Sequence, residues 1–448
     1  MSNIIFCFPP MSGPINSGLR LARELKSRGH QVTYVGIADC ESVVRVNGFD
    51  FIAVYEQWFP KGWLDGFYLQ FQSSESDTFN QQLIAFVDHL LNGGDEELLS
   101  IFQKLCPDLV IISASEFDSV FWALLAHKMK LKCIYLFDVL GGIATHTVPP
   151  VHTELIADGS FWSAAKTSWA WQLLKIKMML GERYLAWKGI DYLSSKRIKK
   201  LASYCGYPCN AIEFYTDLPS PQLKIPQVAL FPQSFEFPGA NRPGRYYAEA
   251  SIDLDRTQAS FPWERLNDNQ PIVYVALSTL PLLEKSDCEK FFRTVLEASF
   301  KWPEWRWVLS IGNVLTVDDF NAVPANVVIV NRAPQLEILK RASLMITHGG
   351  PSSVKECIFF GVPMIVFPLW FDQYGNVARV VFHGLGIKGD FQTITVDGLR
   401  DLIEQINSNP NYKERVISMQ NEFREVEDAK PSAKIIEKFI NDITPFNC

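Results

Sequence analysis

The sequence predicts an α/β protein with two doubly wound, parallel-sheet domains. Strand and helix signals alternate through about residue 140 and again from about residue 271, which is the pattern of βαβ units. A stretch rich in Pro and Gly, "FPGANRPGRYYAEASIDLDR", separates the two alternations. A chain of 448 residues is also longer than one hydrophobic core usually serves, which favours two or three domains.

Composition narrows the classes of partner. Hydrophobic residues make up 48% of the chain and charged residues 20%, as in a soluble globular protein, and the net charge of −7 argues against nucleic acid. Nine scattered cysteines and an N-terminus without a basic segment predict reduced thiols and a cytoplasmic protein. Cys205 and Cys209 lack the second pair that a zinc site needs, so we expect no metal. No apolar run reaches about 18 residues, which predicts no stable membrane insertion and leaves only peripheral contact open.

The first alternation reads as a buried parallel sheet with amphipathic helices. "NIIFCF" is a continuous apolar run, typical of a strand that is covered on both faces. "INSGLRLARELKSRGH" follows with an apolar stripe at Leu19, Ala22 and Leu25, and Gly29 predicts its end. The remaining predicted elements are strand "QVTYVGI", helix "CESVVRVNG", strand "FDFIAV", a long helix near 81–105, strand "DLVIIS", helix "SVFWALLAHKMK" and strand "KCIYLF".

Residues 138–230 break this rhythm with a Trp-rich segment, "FWSAAKTSWAWQLLKIKMMLGERYLAWKGIDYL". The favoured interpretation is a pair of helices whose Trp and Met side chains face the core. A wall for an apolar ligand, with Met supplying an adaptable surface, is the sharper alternative. The basic residues of the segment also permit a helix on a membrane surface, which we favour least.

The second alternation has its own order of elements. It runs strand "PIVYVAL", helix 285–299, strands "WRWVLSI" and "VVIV", helix "PQLEILKRA", strand "LMIT", helix "SSVKECIFF" and strand "PMIVFP", and "SAKIIEKFIND" closes the chain as a helix. The predicted boundaries are a first domain at 1–235 with a helical, Trp-rich insertion at about 150–205, a linker at 236–265, a second domain at 266–428 and a terminal helix within 429–448.

The segment "LMITHGGPSSVKE" predicts a seat for a pyrophosphate. A strand ends at its threonine, a glycine pair that includes Gly350 makes a tight turn, and a helix starts at a proline. The N–H groups of Ser352 and Ser353 are then free at a helix N-terminus, which favours an anion. His348 and the Ser353 hydroxyl would add donors. An ordinary strand–turn–helix joint with capping serines is the alternative, but a histidine, glycines and serines at the carboxyl end of a strand favour a ligand site.

Further polar residues follow neighbouring strands. Asp372 and Gln373 come just after "FPLWF", where paired acceptor and amide groups suit sugar hydroxyls, although a helix cap is the alternative. Arg332 through Gln335 follow "VVIV", where a flat group would cover a nucleobase. The turn and helix start at residues 348–353 are called the anion seat below. Glu356 lies one turn into the helix of this seat, where it would be within reach of a ribose.

Together these motifs resemble those of the UDP-sugar-dependent glycosyltransferases of GT-B fold, in particular the bacterial members. The order "APQ", "THGGPSSVKE" and "GVPMIVFPLWFDQYGN" has that family's spacing, and "GPINSGLRLARELKSRGHQVTYVG" resembles its opening helix. The resemblance therefore spans both halves of the chain. It implies two Rossmann-like domains that face a central cleft, with the acceptor on the first, the nucleotide sugar on the second, and the terminal helix crossing back onto the first domain.

The resemblance also implies a donor site and a chemistry. Transfer would be inverting and free of metal or other cofactor, with a nucleoside diphosphate sugar, a UDP-sugar by family habit, as co-substrate. The implied donor-site residues are Ser278, Thr279 and Arg332, the Ala333 main chain at the base, Gln335 and Glu356 at the ribose, His348, Gly350, Ser352 and Ser353 at the pyrophosphate, and Asp372 and Gln373 at the sugar.

Four positions depart from the family pattern. The family commonly places a histidine base after the first strand, where this chain has Gly13 and Pro14, and an orienting aspartate where it has Ser113. Arg332 replaces an aromatic residue, but its planar guanidinium can still stack. Ser278 replaces a glycine. We expect "SGPINSG" to be a turn that shapes the acceptor pocket with Ser113, and Asn16 to cap the helix after it.

The histidine and aspartate that this chain lacks form the family's catalytic dyad. Their absence leaves three explanations for how the acceptor would be activated. Glu116 and Asp118, just beyond Ser113, would serve as substitute bases, although caps for the helix "SVFWALL" are slightly favoured. His146, in "GGIATHTVPP", is a further candidate base, although a single loop histidine is usually only solvated. The second explanation is an acceptor that is acidic enough to need no base. Thirdly, the GT-B scaffold serves as an accessory protein or catalyses another reaction on a hydrophobic ligand.

The sequence therefore predicts a cytoplasmic glycosyltransferase that acts on a hydrophobic small molecule, such as a specialised metabolite or lipid. Retention of the five donor-site side chains argues that a sugar nucleotide is still bound. They are His348, Ser353, Glu356, Asp372 and Gln373.

Overall fold

A computed structural model describes residues 1–9, 12–64, 76–190, 193–240, 242, 244–266, 270–277, 283–321 and 323–442. The first half of the described chain is built around a seven-stranded parallel sheet with strand order β3-β2-β1-β4-β5-β8-β9. Its strands are β1 (Asn3–Cys7), β2 (Gln31–Gly36), β3 (Asp50–Ala53), β4 (Leu109–Ser113), β5 (Cys133–Phe137), β8 (Gln227–Ala229) and β9 (Arg245–Tyr247). A short antiparallel pair, β6 (Ile212–Glu213) and β7 (Gln222–Leu223), lies beside it.

Helices cover both faces of this sheet because successive strand residues point to opposite sides. Ile4 and Phe6 pack into one apolar layer with Leu19, whereas Ile5 and Cys7 pack into another on the opposite face. The helices are α1 (Ser12–Ser27), α2 (Glu41–Val46), α3 (Ser76–Leu91), α4 (Glu96–Leu105), α5 (Ser119–Lys128), α6 (Phe161–Trp187) and α7 (Ser195–Cys205). The predicted strands and most predicted helices of this half are confirmed.

Two local predictions are wrong. "SGPINSG" is not a turn but the first turns of α1, so Asn16 lies inside the helix and does not cap it. Pro14 fits there because the first turn of a helix has no intrahelical partner for its N–H groups. The single helix near 81–105 is two helices, α3 and α4, which separate where Gly93 adopts φ +89°.

The Trp-rich segment also differs from its prediction. Its first part is one helix of 27 residues, α6, and most of its large apolar side chains are exposed. Trp171 is buried, but Trp162, Trp169 and Trp187 are 73%, 64% and 80% exposed. Apolar residues occupy two sides of α6, and among the described residues only the side of Trp171 is buried. Helical periodicity alone does not show which side is covered.

The second half holds a six-stranded parallel sheet with strand order β12-β11-β10-β13-β14-β15. Its strands are β10 (Ile272–Ala276), β11 (Arg306–Ser310), β12 (Val327–Val330), β13 (Ala342–Thr347), β14 (Met364–Val366) and β15 (Gly386–Lys388). The helices around it are α8 (Lys285–Ser299), α9 (Gln335–Leu339), α10 (Pro351–Phe360), α11 (Asp372–Phe382), α12 (Val396–Ser408) and α13 (Pro410–Ala429). The predicted alternation of this half is confirmed.

The last described helix, α14 (Pro431–Asn441), returns to the first sheet. Ala433, Ile436 and Phe439 are buried in the same apolar layer as α1. The crossing is held by polar contacts as well, since the Ser432 N–H donates to Glu249 at 2.9 Å. The chain after β15 therefore fastens the two halves to each other.

Candidate functional site

Polar side chains collect where carboxyl ends of strands from both sheets come together. Ser113 ends β4 and Asp138 follows β5 in the first half, while His348 follows β13 in the second. The halves touch directly at this place, because the N–H of Gly375 donates to the Val151 carbonyl at 2.7 Å. Open α/β sheets bind ligands at such edges.

The turn between β13 and α10 is shaped for close approach of an anion. Gly349 adopts φ +84°, and a Cβ atom there would lie 2.5 Å from Val366 Cγ1, so only glycine fits. The first hydrogen bond of α10 runs from the Val354 N–H to the Gly350 carbonyl at 3.0 Å. The preceding N–H groups, at Ser352 and Ser353, have no carbonyl within the helix to bond. They are available to a negatively charged group, whose charge the helix dipole also favours.

His348 enters this turn as a neutral imidazole. Burial lowers its pKa to about 4, against the opposing effect of a hydrogen bond to the backbone at Ala276. Its Nδ1 has no hydrogen-bond partner among the described residues. A Cβ atom on Gly350 would lie 2.5 Å from His348 Nε2, so glycine is needed for the ring to pack against the turn. The imidazole can therefore donate a hydrogen bond to an anion without carrying charge itself.

Gln335, Ser353 and Glu356 are brought together, as the sequence predicts for one site. Gln335 Nε2 donates to Glu356 Oε2 at 2.7 Å and lies 3.3 Å from Ser353 Oγ. The side-chain oxygen of Gln335, Oε1, accepts from the Tyr274 hydroxyl at 3.2 Å. These bonds fix the orientation of the amide and leave the Ser353 hydroxyl at the mouth of the helix.

Glu356 has a partner that sequence reasoning missed. Arg256 Nη1 lies 2.6 Å from Oε1 of the buried Glu356, and Arg256 Nη2 lies 3.1 Å from Oε2. The arginine comes from the stretch predicted as a linker, 100 residues earlier in the chain, and no local pattern marks it. A two-point guanidinium–carboxylate pair is among the strongest polar contacts in proteins. It neutralises the charge of the Glu356 carboxylate beside the anion seat.

The residues before α9 differ in how far they are available to a ligand. Arg332 is exposed, so its guanidinium is accessible to a flat ring. The Ala333 N–H already donates to Ser310 Oγ at 3.3 Å. Of the main-chain groups of Ala333, the carbonyl is therefore the one left to bond a nucleobase. Ser278 and Thr279 lie outside the described residues.

Asp372 and Gln373 begin α11 and are both buried. Gln373 holds the preceding loop, because its Oε1 accepts the N–H groups of Leu369 at 2.8 Å and Trp370 at 3.2 Å. Its amide nitrogen is the end that remains for a ligand. The alternative of a carboxylate cap is wrong, because Phe371 occupies the N-cap position of α11 and no side-chain hydrogen bond caps the helix there.

Asn376 connects Asp372 to the anion seat. Its Nδ2 donates to Asp372 Oδ2 at 2.9 Å and to the Gly349 carbonyl at 2.9 Å. Sequence reasoning missed this residue, although its position one turn after Asp372 on the same helix face was the available signal. Burial, followed by the carboxylate of Asp138, raises the pKa of Asp372 to about 7.

Carboxyl groups of the first half face Asp372. Burial, then the charges of Asp118, Asp138 and Asp372, raise the pKa of Glu116 well above its ordinary value. Burial also raises the pKa of Asp118 and of Asp138, against the hydrogen bonds from Trp122 and Ser115 respectively. Asp138 was not predicted, although a carboxylate directly after a buried strand was the signal. The four carboxyl groups form one electrostatically coupled cluster across the two halves.

The members of this cluster are not equally available. Asp118 stands at the start of α5 but does not cap it, because its Oδ2 accepts the Trp122 indole N–H at 2.9 Å. The predicted cap role is wrong for this side chain. The Asp138 carboxylate is bonded by the Ser115 hydroxyl. No hydrogen bond to the Glu116 carboxylate is found among the described residues.

The two positions of the missing dyad hold no proton acceptor of their own. Pro14 is half-buried near the start of α1, next to Gly13, whose carbonyl accepts the Ser17 hydroxyl at 3.1 Å. Ser113 is buried, and its hydroxyl has no partner among the described residues. His146 is exposed in the loop after β5 and makes no ion pair or hydrogen bond within the part of the chain that is described.

A crevice under α6 offers a further apolar surface. Met178 lines it together with Phe214, Tyr215 and Leu218. Leu218 also packs against Gly141, in the loop that follows Asp138. Of the Trp and Met side chains predicted as a wall for an apolar ligand, Met178 is the one that lines this crevice. In the described parts of the chain, no group of three His, Cys, Asp or Glu residues has the arrangement of a metal site.

Comparison with known proteins shows which family the chain resembles. A family model described as UDP-glucoronosyl and UDP-glucosyl transferase matches residues 317–429, which include the anion seat, Glu356 and Asp372. The uncharacterized UDP-glucosyltransferase YojK of Bacillus subtilis (strain 168) is 24% identical over 455 aligned residues, covering 99% of each chain. The chain is therefore similar to UDP-glycosyltransferases of GT-B fold, and its match to the family model spans 113 of its 448 residues.

Further comparisons point to glycosyltransferases as well, but they cover different shares of the chain. The NDP-glycosyltransferase YjiC of Bacillus subtilis (strain 168) is 27% identical over 223 residues, which are 49% of this chain and 55% of YjiC, so this match spans about half of the relative's length. Among solved structures, the glycotransferase of kitacinnamycin superposes with a TM-score of 0.66 at 21% identity, covering 98% of both chains. The chain therefore has the GT-B fold that its motifs predict.

Proposed function

We propose that the protein transfers a sugar from a nucleoside diphosphate sugar, by family habit a UDP-sugar, to a hydrophobic small-molecule acceptor with inversion at the anomeric carbon. The observation that carries this proposal is that Asn376 Nδ2 bonds both Asp372 and the Gly349 carbonyl of the anion seat, next to Gly375, which contacts Val151 of the opposite half. A sugar seated at Asp372 would have its anomeric carbon between a phosphate-binding helix and a set of proton acceptors. That is the arrangement that sugar transfer requires.

The second half would bind and activate the donor. The N–H groups of Ser352 and Ser353, the Ser353 hydroxyl and His348 would hold the pyrophosphate. Negative charge grows on the leaving phosphate oxygen as its bond to the sugar breaks, and these donors stabilise it at the positive end of α10. Because His348 is neutral, its contribution is a hydrogen bond. Asp372 and the Gln373 amide would orient the sugar hydroxyls.

Glu356 would bind the ribose while it remains paired with Arg256. A carboxylate has about four lone-pair directions, and the contacts with Arg256 and Gln335 use three of them. One remains for a ribose hydroxyl. Arg256 then lowers the cost of bringing a dianionic pyrophosphate next to a buried carboxylate.

The first half would bind the acceptor and remove its proton. The acceptor oxygen bonds to the anomeric carbon, the bond to the phosphate oxygen breaks, and the acceptor proton passes to a base. Glu116 is the group we propose for this role, because its raised pKa makes its ionised form a stronger base than an ordinary carboxylate. Asp118 is bonded to Trp122, and His146 is exposed.

A second candidate function is suggested by Pro14 and Ser113. With neither dyad residue in place, the protein would bind a sugar nucleotide as an accessory protein or act on a hydrophobic ligand without transferring sugar. The two functions differ in their products. A mass-resolved screen of hydrophobic alcohols, phenols and acids with UDP-glucose or dTDP-glucose would show acceptor masses raised by one sugar under the first function. Nucleotide-sugar binding with no sugar-bearing product from any acceptor class would support the second.

A further inference from the structure

Helix α6 carries an exposed apolar stripe along its whole length. Successive residues of an α-helix are about 100° apart around the axis, and on that basis the seven side chains lie within about 40° of a common line. Each is between 48% and 80% exposed. The apolar stripe consists of Trp162, Trp169, Leu173, Ile176, Leu180, Tyr184 and Trp187.

The helix is already seated by its other side. Ser163, Thr167 and Trp171 are the buried residues of α6, and the Trp171 indole N–H donates to the Val148 carbonyl at 2.9 Å. Ser160 caps the helix by accepting the Ser163 N–H at 3.2 Å. The helix thus has a fixed position on the protein, with the apolar stripe facing away from it. A contiguous exposed apolar surface of this kind marks an interaction site.

The charges around the apolar stripe are of one sign. The exposed charged side chains of α6 and its C-cap are all basic, namely Lys166, Lys175, Lys177, Arg183 and Lys188. The one acidic residue of the helix, Glu182, is turned inward, where it accepts the Ser195 N–H at 2.6 Å. The chain as a whole has a net charge of −7, so this basic surface stands against the overall charge.

We infer that the apolar stripe docks on the surface of a lipid bilayer that contains anionic lipids. Trp and Tyr side chains favour the boundary between water and hydrocarbon, and lysines beside them attract anionic headgroups. Among the described residues, no helix is long and apolar enough to cross a membrane, so α6 lies along the surface over roughly 40 Å. A second copy of the chain is a poorer occupant, because it would bring the same basic side chains against each other.

The inference is independent of sugar transfer and is tested by vesicle binding. The full chain is centrifuged with vesicles of phosphatidylglycerol and phosphatidylcholine in equal parts, and with vesicles of phosphatidylcholine alone. We expect sedimentation with the anionic vesicles, release by high salt, and little binding to the neutral ones. Lys166→Gln, Lys177→Gln and Lys188→Gln together should weaken binding roughly a hundredfold, since each basic residue near an anionic surface contributes about fivefold.

A second variant separates lipid docking from its alternatives. Trp169→Ser with Leu173→Ser should abolish vesicle binding while UDP-glucose binding and the melting temperature stay unchanged. The matched controls are Phe300→Ser, an exposed apolar residue of the second half, and Lys104→Gln, an exposed lysine of α4, and neither should alter vesicle binding. Failure of the intact chain to bind anionic vesicles would overturn the inference. So would a dimer in sedimentation velocity that this double variant dissociates, because a second copy would then cover the stripe.

Discussion

Arg256 and Glu356 form a buried two-point ion pair across 100 residues of chain, with nitrogen–oxygen distances of 2.6 and 3.1 Å. The pair ties the segment between the two sheets to the helix that carries the anion seat. The contact brings the segment that was predicted to be a linker next to the anion seat.

Removing one partner of this pair should be costly. Arg256→Ala leaves the Glu356 carboxylate buried without its cation, and we expect a loss of about 3–5 kcal/mol in the free energy of unfolding. Equilibrium unfolding in urea measures it. The double variant Arg256→Ala with Glu356→Gln should recover part of the loss, because the buried charge is gone. Lys340→Ala breaks the exposed pair with Glu337 and should cost less than about 1 kcal/mol. Equal losses in Arg256→Ala and Lys340→Ala would contradict this account of the pair.

The anion seat should depend on Gly349. Alanine there must adopt φ +84° and would bring its methyl group 2.5 Å from Val366. We expect Gly349→Ala to destabilise the fold by more than about 1 kcal/mol and to abolish UDP binding. Gly181→Ala is the matched control, since it lies within α6 with open space around it and should be neutral or stabilising. Thermal melting with and without UDP measures both. UDP binding that survives Gly349→Ala would place the anion elsewhere.

Glu116→Gln tests the proposed base. With an alcohol as acceptor, we expect kcat/KM to fall by about 10²–10⁴ while UDP-sugar binding is unchanged. With a carboxylic acid as acceptor, the same substitution should have little effect, because that nucleophile is already ionised. Glu96→Gln, at an exposed glutamate of α4, controls for the loss of an acid in the same half. Undiminished transfer to an alcohol would remove Glu116 from the mechanism.

The pKa of Asp372 predicts how stability depends on pH. Its pKa is about 7 in the folded protein and near 3.8 in the unfolded chain, so between these values the folded state holds a proton that the unfolded state has lost. The free energy of unfolding should therefore fall as pH rises from about 4 to about 7, with Glu116, Asp118 and Asp138 acting in the same direction.

Asp372→Asn should remove the part of the pH dependence of stability that comes from Asp372. The variant should gain stability relative to the parent, at most about 4 kcal/mol, on going from pH 4 to pH 8, because asparagine does not ionise. Urea unfolding at the two pH values measures the difference. Asp397→Asn, with a side chain that is 88% exposed, should show no such gain. A parent-like pH profile for Asp372→Asn would mean that its carboxyl is not held protonated by the cluster.

Sequence patterns predicted those features that depend on neighbours in the chain. The strands could be predicted because buried runs such as "IIFCF" are apolar throughout. The anion seat could be predicted because glycines, proline and serines occur together where β13 is followed by α10. Arg256 was missed because Glu356 is 100 residues away and no local pattern marks the arginine. Asp138 was missed although it directly follows a buried strand, and only the folded chain shows that its charge acts on Asp372. For α6, the Trp spacing predicted a helix but not which of its two apolar sides is covered.

Calorimetric titration of the intact protein with UDP-glucose tests the central claim most directly. We predict saturable one-site binding that His348→Ala weakens strongly, with UDP alone binding at the same seat, and that Asp372→Asn weakens for UDP-glucose much more than for UDP. Absence of binding by UDP-glucose, dTDP-glucose and UDP, with the protein folded, would contradict the assignment of a donor site at the end of β13.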